Sequence, residues 1–371
     1  MNFLEKYVKK KLYKPHLSKE SEGVLANESL REHQLKEVDR IIRNAMIYSA
    51  IAGALAVILC YVPYHLFGPD VFQITPVWIP FYEDYIELEI SFLVFSMILL
   101  VAEIVFLTFN NIKMVNKISH ICEFPNENDP FEELNIQSLI ATSFEKKIKA
   151  QKDIGINPFS GLSKMSLFLY TAFNIAKAAL TNFIFKIFVR RILGRYAIRM
   201  VVDLAGIPIY AFWNAFATRK VAREAKTRIL ANPLILKFSD ELFEEQKENI
   251  EFTNEIYHLL EYISVIKRDY NINHYILAIS LLKKFNLPVE KNRNFDKDTL
   301  NRIGQSSTLT KEGFSKLLLV GLALDGVISE KEMVIIYQLE KRGVFLFSIK
   351  DAEEYTKGFY SGKVAMPSIK Y

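Results

Sequence analysis

The residues best placed to do chemistry lie in Leu322-Ala323-Leu324-Asp325-Gly326-Val327-Ile328-Ser329-Glu330-Lys331-Glu332. Asp325 and Glu332 match the fifth and twelfth positions of a calcium loop, where oxygen ligands are needed. Gly321 and Ala323 stand at the first and third positions, so two of the expected carboxylates are missing. The same acids also have a backbone use. Asp325-Gly326 ends one helix, with glycine free to adopt positive φ, and Ser329 with Glu332 forms a capping box for the next. A divalent-cation site at Asp325 and Glu332 therefore competes with a purely structural role.

Other chemistry is sparse. Glu255-Ile256-Tyr257-His258 places a Glu and a His one turn apart, with Glu261 beyond them. A di-iron bundle needs two such motifs and two further glutamates, so His258 reads as a surface residue beside solvated acids. The sequence has no glycine-rich phosphate loop, dinucleotide fingerprint, Gly-x-Ser-x-Gly elbow or His-Glu-x-x-His motif. Its six histidines are scattered. No catalytic constellation or cofactor motif is visible, and the chain reads as non-enzymatic.

The remaining candidates are ionisable residues inside apolar stretches. Glu103, Asp203 and Lys177 sit where a charge is costly, which makes each a candidate for function by default. Their meaning depends on the elements that carry them. From Asn44 to Ile112 there is no lysine or arginine, and two apolar runs, 45–67 and 90–109, flank the connection 68–89. Each run is long enough, at ~1.5 Å per residue, to cross a ~30 Å hydrocarbon layer. The connection has acids (Asp70, Glu83, Asp84) but no bases, whereas the N-terminus is basic and Lys113 and Lys117 follow the second run. The bias of positive charge to the untranslocated side predicts a two-span hairpin with both termini cytoplasmic. The first run starts too late for a cleaved signal, so it should act as an anchor. The prolines 69, 76 and 80 argue against regular helix in the loop, and its aromatics suit an interfacial belt. Ser49, Ala52, Gly53 and Ala56 form a small-residue face that admits a close helix, most simply the hairpin partner. Glu103 finds no basic partner in the hairpin. Cys60 and Cys122 are too few and too far apart for a disulfide framework or a zinc site.

The rest of the chain reads as helical. Residues 1–43 form basic N-terminal helices, and 113–164 a cytoplasmic linker with a helix opening at Asp129-Pro130, a second over Ile136–Lys152 and a turn at Asn157-Pro158. Residues 165–230 hold a second apolar helix pair, Met165–Val189 and Met200–Ala217, kinked or broken at Pro208. Spanning the membrane would export Arg190, Arg191 and Arg195, so the pair is expected to lie along the cytoplasmic face or pack in the domain, with a second, membrane-embedded hairpin as the alternative. In either arrangement Asp203 wants a cation, with Lys177 or Arg199 nearest by pattern. After it come Arg219, Lys220, Arg223, Lys226 and Arg228, a lipid- or partner-facing basic stretch. Residues 239–371 form a cytoplasmic α-domain. Its helices are expected to open at Ser239-Asp240 and Thr253, then to cover Tyr275–Phe285 and Thr310–Leu324, with a loop at Glu290–Asp298. The fold class is all-α.

Over Phe314–Leu339 the chain resembles TerB-like domains, an all-α family of the tellurite-resistance type. An apolar helix leads into Asp325-Gly326, with Ile328 and Glu332 at matching positions and Leu324 where the family usually has alanine. The resemblance implies a helical module that recruits partners in stress responses, and it would allow Asp325 and Glu332 to help hold a divalent metal.

These features predict a protein of the bacterial cytoplasmic (inner) membrane. Its partners would be the lipid bilayer and another protein or further copies of itself. The net charge of +5 is modest, and basic flanks beside membrane spans account for it without nucleic acid. The rival reading is an ion-conducting or transport component using Glu103, Asp203 and Lys177.

Overall fold

The computed structural model describes residues 32–79, 84–125, 129–144, 154–160, 162–163, 165–169, 204, 206–268, 270–289, 296, 298–363 and 366–369. Lys177, Asp203 and the expected turn 190–195 lie outside these residues, as do residues 1–31 of the expected N-terminal helices 1–43 and most of the expected loop Glu290–Asp298. The chain divides into two compact units. One comprises Met1–Asp39, Val115–Lys164 and Arg223–Tyr371, the other Arg40–Met114 and Met165–Ala222.

The second of these units contains the apolar runs. Helix α1 spans Glu32–Val71 and α2 spans Ile90–Ile121, and each contributes residues to both units. Both are long and apolar enough to cross a membrane. The connection departs from the irregular loop expected. Strands β1 (Thr75–Ile79) and β2 (Asp84–Leu88) pair antiparallel, with Thr75 opposite Leu88 and Ile79 opposite Asp84. Pro76 is tolerated because both strands of a two-stranded ribbon are edges, where a missing N–H need not break the ladder. At the foot of the ribbon the Tyr64 ring lies tilted against Phe92, 4.5 Å between ring centres, and its hydroxyl donates to Glu89 Oε1 at 2.9 Å.

Helix α3 covers Glu132–Ser143, and α4 runs unbroken from Ile207 to Gln246. Pro208 sits in the first turn of α4, where its missing N–H has no intrahelical partner to lose. One expectation fails on α4. No helix opens at Ser239-Asp240: Ser239 is fully buried in mid-helix and Asp240 pairs with Lys284. Burial of Leu234, Ile235, Phe238 and Leu242 along one face outweighs the local capping preference. Asp129 likewise does not cap α3. It accepts from the Phe131 N–H at 2.8 Å, and the helix starts two residues later than the sequence suggests. Asn157 accepts from Phe159 N–H at 3.0 Å, so the expected turn is present.

The helical unit is completed by α5 (Ile250–Lys267), α6 (Ile272–Lys284), α7 (Thr299–Gln305), α8 (Thr308–Ala323), α9 (Glu330–Lys341) and α10 (Ile349–Tyr360). Helix α8 is central. Phe314, Leu317, Leu318, Leu319, Val320 and Leu322 are all buried, and from Leu317 on the helix is apolar on every side, as a core helix should be. It packs on α5 through Ile256, Leu259, Leu260 and Ile263, the positions that the spacing marks as core. Asn249 caps α5 and Asn271 caps α6, each a few residues before the start that sequence suggests. The Ser329–Glu332 capping box forms as expected, and a second, Ser348 with Asp351, opens α10. Gly326 (φ +76°) and Gly343 (φ +63°) take the left-handed conformation at the ends of α8 and α9.

Candidate functional site

Three side-chain clusters gather the polar groups that the sequence singles out. The first is on the helical unit. Lys267, in the last turn of α5, follows the buried stripe of that helix and is itself almost wholly inaccessible. Its Nζ donates to Asp325 Oδ1 at 2.9 Å and Oδ2 at 3.0 Å, to the Val327 carbonyl at 3.0 Å and to Glu332 Oε2 at 3.2 Å. The two acids read as divalent-cation ligands do converge, and the cation between them is an ammonium. Each keeps its backbone task as well. Asp325 Oδ1 accepts from Val327 N–H at 3.1 Å, and Glu332 Oε2 accepts from Ser329 N–H at 2.9 Å. Burial holds the Glu332 carboxyl above the usual carboxylate range, against the pull of Lys267. Among the described residues, no group of three or more His, Cys, Asp and Glu is placed to hold a metal.

The second cluster overturns part of the basic-surface expectation. Arg219 and Lys220 are exposed and Arg223 is half-buried, but Lys226 and Arg228 point inward. Lys226 pairs with Asp39 at 3.0 Å and lies 4.8 Å from the centre of the Tyr360 ring. The Arg228 guanidinium donates to the side-chain oxygens of Asn273 and Asn135. Asn135 and Asn232 both donate to Asp129 Oδ2, at 2.6 and 2.7 Å, and Asn273 donates to the Leu324 carbonyl at 2.9 Å. One buried cation thus links α3, α4, α6 and the end of α8. Burial lowers its pKa to about 9, opposed by the carboxylates of Asp129 and Glu224, so it stays charged at neutral pH. In the same unit, burial raises the Cys122 thiol to about 12 against the pull of Lys226, which keeps it protonated. Neither Cys60 nor Cys122 is in a disulfide.

The third cluster lies in the unit with the apolar runs. Asn214 of α4 donates to Glu103 Oε1 at 2.5 Å, so an amide rather than a base meets this acid. A methyl group on Gly53 would fall 2.6 Å from the Tyr210 carbonyl. At Gly53 the small-residue face of α1 therefore admits α4 closely. One turn away, Ser49 bonds to Thr218 of α4 at 2.6 Å, and Asn110 of α2 donates to Ser49 Oγ and the Ala45 carbonyl, both at 2.9 Å.

The Glu255-x-x-His258 motif is dispersed. Glu255 forms a two-pronged ion pair with Arg302 at 2.6 and 2.9 Å. Glu261 is buried rather than solvated and accepts from Ser160 at 3.0 Å. Sequence reasoning missed Lys267 and misplaced Arg228. Both fall on apolar helical stripes, and that was the available signal.

The outer faces of α1 and α2 are apolar and exposed, including Ile51, Leu55, Leu59, Val94, Ile98 and Val105. No protein-family model, characterised protein or solved structure matches the chain.

Proposed function

We propose that this chain is a non-enzymatic integral membrane protein. A two-span hairpin, about 45–67 and 90–109, would anchor a helical unit that serves as an interaction or scaffold module at the cytoplasmic face of a bacterial inner membrane. The observation that carries this reading is the exposure of the apolar helices. None of the most apolar stretch of α2 is buried, and only 22% of that of α1. A core helix of a soluble protein would have the opposite profile, because uncovered apolar area of this extent is unfavourable in water. The bases that flank the hairpin and the acids in its connection support termini on the inner side.

For the helical unit, the Lys267 and Arg228 clusters spend the polar groups that the sequence singles out on ties between elements, which favours binding through the surface over catalysis. Val334 and Tyr337 on α9 are exposed apolar residues suited to a protein partner. The TerB-like turn around Asp325 supports a place in a stress-response assembly.

The test is topological. A reporter active only outside the cytoplasm is expected to work when fused within 68–89 and to be silent when fused after Tyr371. Alkaline carbonate should leave the chain in the membrane fraction. An active reporter at Tyr371, or release by carbonate, would overturn the reading.

A further inference from the structure

In the unit built from Arg40–Met114 and Met165–Ala222, the lysines and arginines among the described residues are Arg40, Arg43, Lys113, Arg219 and Lys220. They come from three helices, and all five are exposed. None is in an ion pair among the described residues. Among the described residues, the acids of the same unit are elsewhere in the chain: Asp70, Asp84, Glu87 and Glu89 belong to the ribbon and its borders, and Glu103 is met by Asn214.

Hydrogen bonds bring the five bases to one level. Ser49 of α1, Asn110 of α2 and Thr218 of α4 are joined directly. Counting from that tie at ~1.5 Å per residue, Arg43 is ~9 Å away along its helix, Lys113 ~4.5 Å, Lys220 ~3 Å and Arg40 ~14 Å. All lie on the same side. Gly53 meets Tyr210 and Asn214, so α4 runs antiparallel to α1 and its bases fall at the Arg43 end. On the other side of the tie the exposed faces are apolar: Ile51 and Leu55 of α1, Val105 of α2, and the contacting rings of Phe212, Trp213 and Phe216 on α4. From Ser49 to Phe67 is ~27 Å of helix and from Ile90 to Asn110 ~30 Å, the depth of a hydrocarbon core.

We propose that these five residues form a cationic collar that binds the phosphates of anionic phospholipid headgroups, with the aromatic end of α4 inserted beneath it. The inference rests on the membrane reading above and names the lipid class that it recognises. Guanidinium and ammonium groups without carboxylate partners, set at the edge of an apolar surface with an aromatic belt, match such headgroups in charge and depth. Lys226 and Arg228 do not belong to the collar, since both are turned into the other unit.

The test uses the full chain purified in a neutral detergent and examined by native mass spectrometry with phosphatidylglycerol or phosphatidylcholine of equal chain length. Each base near an anionic surface contributes a factor of about five in affinity, so retention of phosphatidylglycerol should exceed that of phosphatidylcholine by at least about tenfold. The variant R40Q/R43Q/K113Q/R219Q/K220Q should retain both lipids equally, while R40K/R43K/R219K should keep the preference. Neutralising the exposed Lys331 and Lys350 of the other unit should change nothing. If the fivefold variant does not fold, single substitutions should each lower the preference by about two- to fivefold. Equal retention by the unaltered chain, or an undiminished preference in the neutralised variants, overturns the collar. Carbonate extraction of the same membranes separates the two levels. A chain that stays integral yet shows no preference sinks the collar alone, whereas a chain released by carbonate sinks the membrane reading and the collar with it.

Discussion

Replacing Lys267 with methionine tests the polar core of the helical unit most directly. The side chain of Lys267 is 1% exposed, and its ammonium is the cation shared by Asp325 and Glu332. Methionine keeps most of the volume and removes the charge. The two carboxylates respond differently, because the Asp325 side chain is 34% exposed and can rehydrate, whereas that of Glu332 is 7% exposed and cannot. Breaking a buried pair from one side costs ~3–5 kcal/mol. With one acid screened by solvent the lower end applies, ~3 kcal/mol, or about a 150-fold rise in local opening. Glu332 also sets the pH dependence. Its carboxyl is already raised by burial in the native protein, and losing Lys267 removes an interaction that lowers it. A group with a raised folded-state pKa favours the fold below its unfolded value, near 4.5, and that contribution is lost as pH rises through the folded value. The penalty of Lys267→Met should therefore be full at neutral pH and shrink on acidification. Hydrogen exchange read by mass spectrometry over 322–341, on the full chain in a bilayer disc, measures the opening. Adding Asp325→Asn and Glu332→Gln should restore at least half of the lost protection. Asn still accepts from Val327 N–H and Gln still completes the capping box. Unchanged protection at neutral pH, or a penalty that grows on acidification, would refute the argument.

Because the Lys267 ammonium fills the space between the carboxylates, neither a chelator nor millimolar calcium should shift thermal unfolding of the native chain; a calcium-dependent rise would show metal displacing the lysine. Arg228→Met should cost ~3–5 kcal/mol, read as a lowered denaturation midpoint, since Asn135 and Asn273 lose their buried donor. Gly53→Val should destabilise the unit with the apolar runs by ~1–3 kcal/mol, as the new Cβ would meet the Tyr210 backbone at 2.6 Å; quenching of Trp213 fluorescence would report the displacement of α4. Glu103→Gln should insert and melt like the native chain, since a glutamine oxygen still accepts from Asn214; lost expression or a lower melting point would mean that the charge itself is required.

What could be read from sequence was what is local. The glycine at 326, the Ser329–Glu332 box and the stripe Ile256, Leu259, Leu260 and Ile263 follow from i, i+3 and i, i+4 rules, and the structure has them where expected. Long-range pairings were not visible. Lys267 lies 58 residues from Asp325, and only the packing of α5 on α8 makes them partners. Local capping chemistry misled at Ser239 because the signal competes with burial of an entire helix face, and burial dominates. The ribbon at 75–88 was obscured by Pro76, whose usual meaning holds for central strands and not for a pair of edges.

The basic stretch of α4 shows why a charge run cannot be interpreted as one object. Arg228 falls at helical spacing with Val221, Ala225, Ile235 and Leu242, all buried, so its phase alone points inward. Lys226 is different. It lies seven residues from Arg219, on nearly the same face of the helix, yet one is buried and the other exposed. Phase cannot separate them, but their neighbours can. At Lys226 the carboxylate of Asp39 and the ring of Tyr360 compensate the charge for leaving water, while Arg219 is in no ion pair among the described residues. A cation without a local partner stays at the surface in water until something outside the chain supplies the negative charge, which is the part that the proposed collar gives to an anionic headgroup at Arg219 and Lys220.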